Sequence, residues 1–145
     1  CQSLNQSLLC KKEDITMAGT VADYRVLQDG KFTLRAVAGK DTRREKFNLP
    51  GALHRGGTTH HGGIFSVGIY DAKELDFALI LNGHTVYDSS NSGWTGEQLT
   101  SDADRTFQEA FSGDFFSTGD NDLTIQVNHG SGIFHDLIVW FQRDT

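Results

Sequence analysis

Proline is nearly absent from this chain. One proline stands against sixteen glycines in 145 residues, so its turns rest on glycine and short polar side chains rather than on a pyrrolidine ring. Cysteine is as scarce. Cys1 and Cys10 are the only two, and a bond between them would close one short loop and leave the rest of the chain unstapled. No stretch approaches about eighteen consecutive apolar residues, which excludes a helical membrane span. Helical periodicity is almost missing, and no strand-to-helix alternation supports a parallel α/β sheet.

Catalytic signatures are missing too. There is no GxSxG nucleophile elbow, no HxH or HExxH pairing, and the acidic segments do not follow the EF-hand spacing. Glu74, Glu97 and Glu109 are candidate acids for a glycoside-hydrolysing pair, but a sequence cannot show the separation that such a pair needs. No enzymatic activity is expected.

Positive charge is scarce in one half only. Residues 1–72 hold ten Lys/Arg against seven Asp/Glu, whereas residues 73–145 hold three against twelve, within a net charge of −6. Nucleic acid is not expected as a partner, because phosphate binding relies on Lys and Arg. The basic run at 40–46 (KDTRREK) is interrupted by Asp41 and Glu45, and reads as a solvated strand edge or loop.

The N-terminus admits two readings. Cys1, Cys10 and the glycosylation acceptor pattern Asn5, Gln6, Ser7 lean towards an extracellular chain whose signal has been removed. Alternatively Met17, the only methionine, is the natural start and residues 1–16 stand outside the fold. Either reading gives an extension over 1–16 and a single domain over 17–145.

What the chain does contain is β pattern. A short strand at 24–27 is followed by Gln28, Asp29 and Gly30, which read as a hairpin turn, and then by alternation from Phe32. A further short strand is expected at 45–49. Phe65, Val67 and Ile69 share one face, residues 71–74 turn the chain, and Leu75, Phe77, Leu79 and Leu81 share the next face. Ala78 and Ile80 make the opposite face partly apolar, as in a central strand. Asn82-Gly83 is the strongest hairpin signal present, since both residues tolerate positive φ. Residues 101–111 fit either a turn of helix leading into a strand or a strand alone. Near the end, 123–127 alternates cleanly, residues 129–132 (HGSG) read as a hairpin, and 133–142 forms a last strand that is apolar on both faces at 137–141. Such a strand lies inside a sheet or is covered on both sides. Ten Phe, two Trp and three Tyr provide the core. The fold class is therefore all-β, an antiparallel β-sandwich of jelly-roll-like type with at most one short helical turn near 101–110.

Two loops carry candidate chemistry. After Tyr87 the chain opens into DSSNSGWTGEQ, which sets one large aromatic among amides, hydroxyls and carboxylates. A sugar ring offers an apolar C–H face and a rim of hydroxyls, so an aromatic plate beside short polar side chains suits it. Trp94, Asn91, Asp88 and Glu97 have that chemistry; the competing structural role for Trp94 is a lid folded onto the core. The glycine-rich segment 50–63 carries His54, His60 and His61. Adjacent His60 and His61 point apart in an extended chain, so a zinc site is not expected, but His60, and His84 on the hairpin, remain donors to a ligand. No cofactor is expected, although Asp102 with Asp104, and Asp120, Asn121 with Asp122, supply oxygen ligands of the type calcium accepts.

The expectation is a carbohydrate-binding protein, a lectin or binding module, whose partners are glycans and which self-associates because single sugar sites bind weakly. The alternatives are an oligomerising jelly-roll assembly module, with Phe111, Phe115, Phe116 and Trp140 packed between subunits, or a small hydrolase or isomerase.

Overall fold

Alternation of buried and exposed side chains runs through nearly all of the computed structural model, which describes residues 20–54, 62–89 and 104–144. Seven strands form among the described residues. They are β1 (Thr20–Arg35), β2 (Asp41–Leu49), β3 (Leu53–His54), β4 (Gly63–Leu81), β5 (His84–Asp88), β6 (Arg105–Phe111) and β7 (Gly119–Asp144). Every pairing is antiparallel.

β4 and β7 are unusually long, and each belongs to two layers. The first half of β7 pairs with β2 and with residues 77–81 of β4, which also pair with β5. The second half of β7 pairs with β1 and with residues 63–70 of β4, which also pair with β6. Two four-stranded layers result, in the orders β2-β7-β4-β5 and β1-β7-β4-β6, with β3 added beside Gln142 and Arg143. The layers close over one another like a folded sheet, giving the antiparallel sandwich of jelly-roll type that the pattern predicts.

Aromatic rings fill the space between the layers. Phe77, on one layer, lies 5.3 Å from the Phe107 ring and 5.9 Å from the Phe134 ring, both on the other. Phe32 stacks on Phe134 at 5.5 Å, and Phe65 on Phe111 at 4.7 Å. Nine of the ten Phe are buried, the exception being Phe115. Phe111 and Phe116, which the assembly reading puts between subunits, are part of this internal core.

Three expected turns are not reversals. Gln28, Asp29 and Gly30 form an irregularity inside β1, which pairs with β7 on both sides of it. Residues 71–74 are a bend within β4, at which Asp71 and Glu74 have φ of 50° and 51°. The His129–Gly132 segment is a bend within β7, with Gly130 at φ 74°. The two bends are opposed, since Lys73 pairs with Ser131 and Asp76 with His129. Glycine and carboxylate residues at positive φ serve a bulged bend as well as a turn, so local signal alone does not separate the two. The Asn82-Gly83 turn does reverse the chain, with φ of 51° and 84° and Leu81 paired to His84.

The stretch beyond residue 103 is strand from Arg105, with Phe107 and Phe111 inward, and the helical turn falls later, at Gly113–Phe115. β2 is an edge strand, as the basic run suggests, and lies against the acidic start of β7. There Arg44 grips Asp122 through two nitrogens. Charge that is segregated along the sequence is thus paired in space. No helix among the described residues is long and apolar enough to cross a membrane.

Candidate functional site

Of the residues singled out for sugar contact, Asp88 and His84 are described; Trp94, Asn91, Glu97 and His60 lie outside the described residues, as do Cys1 and Cys10. His84 opens β5 and Asp88 closes it, so the strand holds them apart rather than together. The His84 ring lies 5.2 Å from the Phe115 ring. Beyond Asp88, Ser89 is buried and ties the chain to β4. Its Oγ accepts from Phe77 N at 2.9 Å and donates to Asp76, while Ser89 N donates to Phe77 O at 3.0 Å.

Asn82 anchors a polar hollow of about 450 Å³ lined by Lys46, Asn48, Asp120, Asn121 and Asp122. Its side chains bond chiefly to each other. Asn121, 3% exposed, accepts from Asn82 Nδ2 and Ser117 N, and donates to the Ser117 and Gly119 carbonyls. Asn48 donates to Asp120, and hydrogen bonding to the Arg44 guanidinium holds the Asp122 carboxyl below its usual range. The triplet considered for calcium is thus committed to a structural knot. Among the described residues, no three His, Cys, Asp or Glu side chains stand close enough to hold a metal. His54 lies 3.2 Å from the Asp144 carboxylate.

The outward face of the β1-β7-β4-β6 layer is different. Tyr24, Trp140 and Ile64 stand side by side across three strands, with Val26 and Ile138 in the next row. Tyr24 is 50% exposed, Val26 52%, Ile64 39% and Trp140 37%. The Tyr24 and Trp140 rings are 5.1 Å apart and inclined at 42°, and an apolar cleft of about 130 Å³ opens between Trp140, Ile64, Ala22 and Gly63. Trp140 and Ile64 stand on the two central strands, β7 and β4, which give them a rigid support, and Tyr24 stands on the neighbouring edge strand β1. The sequence pattern at 137–141 identifies an interior strand correctly. It does not reveal that one of its two apolar faces, through Ile138 and Trp140, stays open. The outward period-two partner positions Tyr24, Ile64 and Trp140 are the signal for it, legible only once the register is known.

The same face ends in a polar cluster. His135 pairs with Lys31 and Gly68, and its ring lies over Gly68, where a Cβ would come closer than 3.0 Å to the imidazole. Nε2 contacts Asp104 at 2.9 Å and Nδ1 contacts Asp136 at 2.7 Å. With a carboxylate on each nitrogen the ring suits the doubly protonated form, and the hydrogen bond to Asp104, then that to Asp136, raises its pKa. Tyr70 meets His135 edge-on at 5.7 Å, and the Lys31 ammonium lies 5.1 Å from the Tyr70 ring centre.

The sequence matches no protein-family profile and no curated protein. The fold, however, recurs inside known enzymes. A β-porphyranase of glycoside hydrolase family 86 from the human gut bacterium Bacteroides plebeius matches 87% of this chain over 21% of its own, with a TM-score of 0.56 and 16% identity. A second family 86 glycoside hydrolase, solved in complex with neoagarooctaose, matches 85% of this chain over 19% of its own, with a TM-score of 0.52 and 11% identity. The xylan-binding module CBM15 matches 85% of this chain over 97% of its own, with a TM-score of 0.46 and 12% identity. The chain therefore spans about a fifth of the length of the two glycoside hydrolases. At these identities the likeness is one of fold.

Proposed function

We propose that this chain is a non-catalytic carbohydrate-binding module that holds a glycan against the outward face of the β1-β7-β4-β6 layer. The observation that carries the reading is the exposed Tyr24–Trp140 pair beside an apolar cleft, with Trp140 on a strand whose inner face, through Val139 and Phe141, is locked in the core. Isolated exposed apolar residues need no explanation, but a contiguous row with two aromatic rings marks a surface that meets something. An aromatic ring offers an apolar face on which a sugar C–H face can stack, and both Tyr and Trp have a polar edge for hydroxyls. Binding through one such platform is weak, so several copies held together would supply avidity, and self-association belongs to the same proposal.

Affinity electrophoresis of the full chain against a panel of neutral and sulfated polysaccharides tests it. At least one polysaccharide should retard the protein, and Trp140→Ala should abolish that retardation without changing the unfolding midpoint. Absence of retardation by every polysaccharide, or retardation indifferent to Trp140→Ala, refutes the reading. The same apolar row favours one competitor, an assembly module in which a second copy covers this face. A Trp140→Ala variant that turns a stable oligomer into a monomer in sedimentation velocity, with no glycan bound by the wild type, would establish that instead.

A further inference from the structure

Building on that carbohydrate-binding reading, we infer that the cluster of Lys31, Tyr70, Asp104, His135 and Asp136 is a second subsite on the same face, one that takes an uncharged, hydroxyl-rich sugar. The ligand is then an extended neutral oligosaccharide, stacked at one end on Trp140 and hydrogen-bonded at the other by carboxylates.

Geometry places the two ends on one surface. Along β4, Phe65, Val67 and Ile69 point inward, so Ile64 and Gly68 share the outward side. Ile64 pairs with Trp140 and Gly68 with His135, whose ring lies over the missing Cβ of Gly68. The two positions are four steps apart along the strand, roughly 13 Å, the reach of a few linked sugar rings. Between them lie Ser66 and Gln108, paired with each other, and Ile138. Gly68 is what keeps the track low: any larger residue there would push the imidazole away from the sheet.

Chemistry sets the class of sugar. The His135 side chain is 19% exposed, but the Asp104 and Asp136 side chains are each 61% exposed. Each carboxylate meets the imidazole through one oxygen, Oδ1 of Asp104 and Oδ2 of Asp136. His135 thus acts as a strut that holds two carboxylates at fixed positions. A fixed carboxylate accepts hydrogen bonds from neighbouring hydroxyls, and charge makes such bonds stronger than neutral ones. The Tyr70 hydroxyl and the Lys31 ammonium donate to ring and hydroxyl oxygens. Lys31 and the imidazolium together only balance the two carboxylates. Arg105 pairs with Ile69 and so belongs to the opposite face. A sulfate or uronate on the ligand would therefore meet Asp104 and Asp136 without a surplus of positive charge to receive it.

Calorimetric titration of the full chain with neutral oligosaccharides, from disaccharide to octasaccharide, and with sulfated counterparts tests the inference. Affinity for the neutral series should rise with length until both ends are spanned. In Asp104→Asn/Asp136→Asn that rise should fall by about tenfold or more, the worth of one charge-assisted hydrogen bond, while short ligands held at Trp140 are unaffected. Tyr70→Phe keeps the ring packing and should weaken long ligands alone. If the aspartate variant binds every length as the wild type does, or if sulfated ligands bind more tightly than neutral ones, the inference fails while the Trp140 reading stands. If no ligand of any length or charge binds the wild type, both fall.

Discussion

Gly130 stands where the two bends of the folded sheet meet. It sits in the bend of β7 at φ 74°, and its carbonyl accepts from Ala36 N at 2.9 Å. A Cβ there would come closer than 3.0 Å to the carbonyl oxygens of Lys73 and Glu74, in the opposed bend of β4. Both obstacles are backbone, so rotation of a side chain cannot relieve them. Gly130→Ala therefore carries two costs. The left-handed backbone costs about 1–2 kcal/mol in any L-residue, and forcing the two bends apart costs about 1–3 kcal/mol more. Gly83→Ala separates them, because Gly83 also has positive φ, 84°, but nothing stands within 4 Å of its Cβ direction. Urea unfolding followed by tryptophan fluorescence gives both values on a common slope. Gly130→Ala should lose about 2–5 kcal/mol, a large part of the 5–15 kcal/mol typical of a domain, and Gly83→Ala about 1–2 kcal/mol. Equal losses would refute the close approach of the two bends.

Two further outcomes follow from the polar groups. Asn121→Ala removes a buried amide that makes four hydrogen bonds, and should destabilise by about 1–3 kcal/mol in the same urea assay; a loss below about 0.5 kcal/mol, as at an ordinary surface site, would contradict its role as the knot joining Asn82 to residues 117–119. His135 has a raised pKa in the folded state, so the stability that it contributes is complete below the ordinary imidazole value of 6.5 and is lost as pH rises through the folded value. Unfolding midpoints should decline over that window in the wild type and stay level in His135→Gln; a wild-type midpoint that rises through it would overturn the assignment.

The long pair of β4 and β7 has a consequence for the proposed glycan face. Because both strands run through the two layers, their outward side chains share a backbone with the core residues one position away: Trp140 with Val139 and Phe141, Ile64 with Phe65. A ligand pressed on Trp140 meets a surface with little freedom to lose, which lowers the ordering cost of binding.

The sequence by itself determined the inward set. Period-two alternation places Phe65, Val67, Ile69, Leu75, Phe77, Leu79 and Leu81 in the core, and all seven are buried, because one face of a pleated strand takes every second side chain whatever its partner. The Asn82-Gly83 reversal was equally legible, since a two-residue turn is decided by its own φ preferences. Tertiary structure alone decided which polar interruptions reverse the chain. Those at 28–30, 71–74 and 129–132 stay within their strands because the same neighbour continues beyond each, information that lies far away in sequence. It also decided the candidate site. Tyr24, Ile64 and Trp140 are separated by up to 116 positions, and Lys31, Asp104 and His135 by similar spans, so only register brings them to one surface. Composition offers an aromatic and a carboxylate; pairing across strands is what brings them onto one surface.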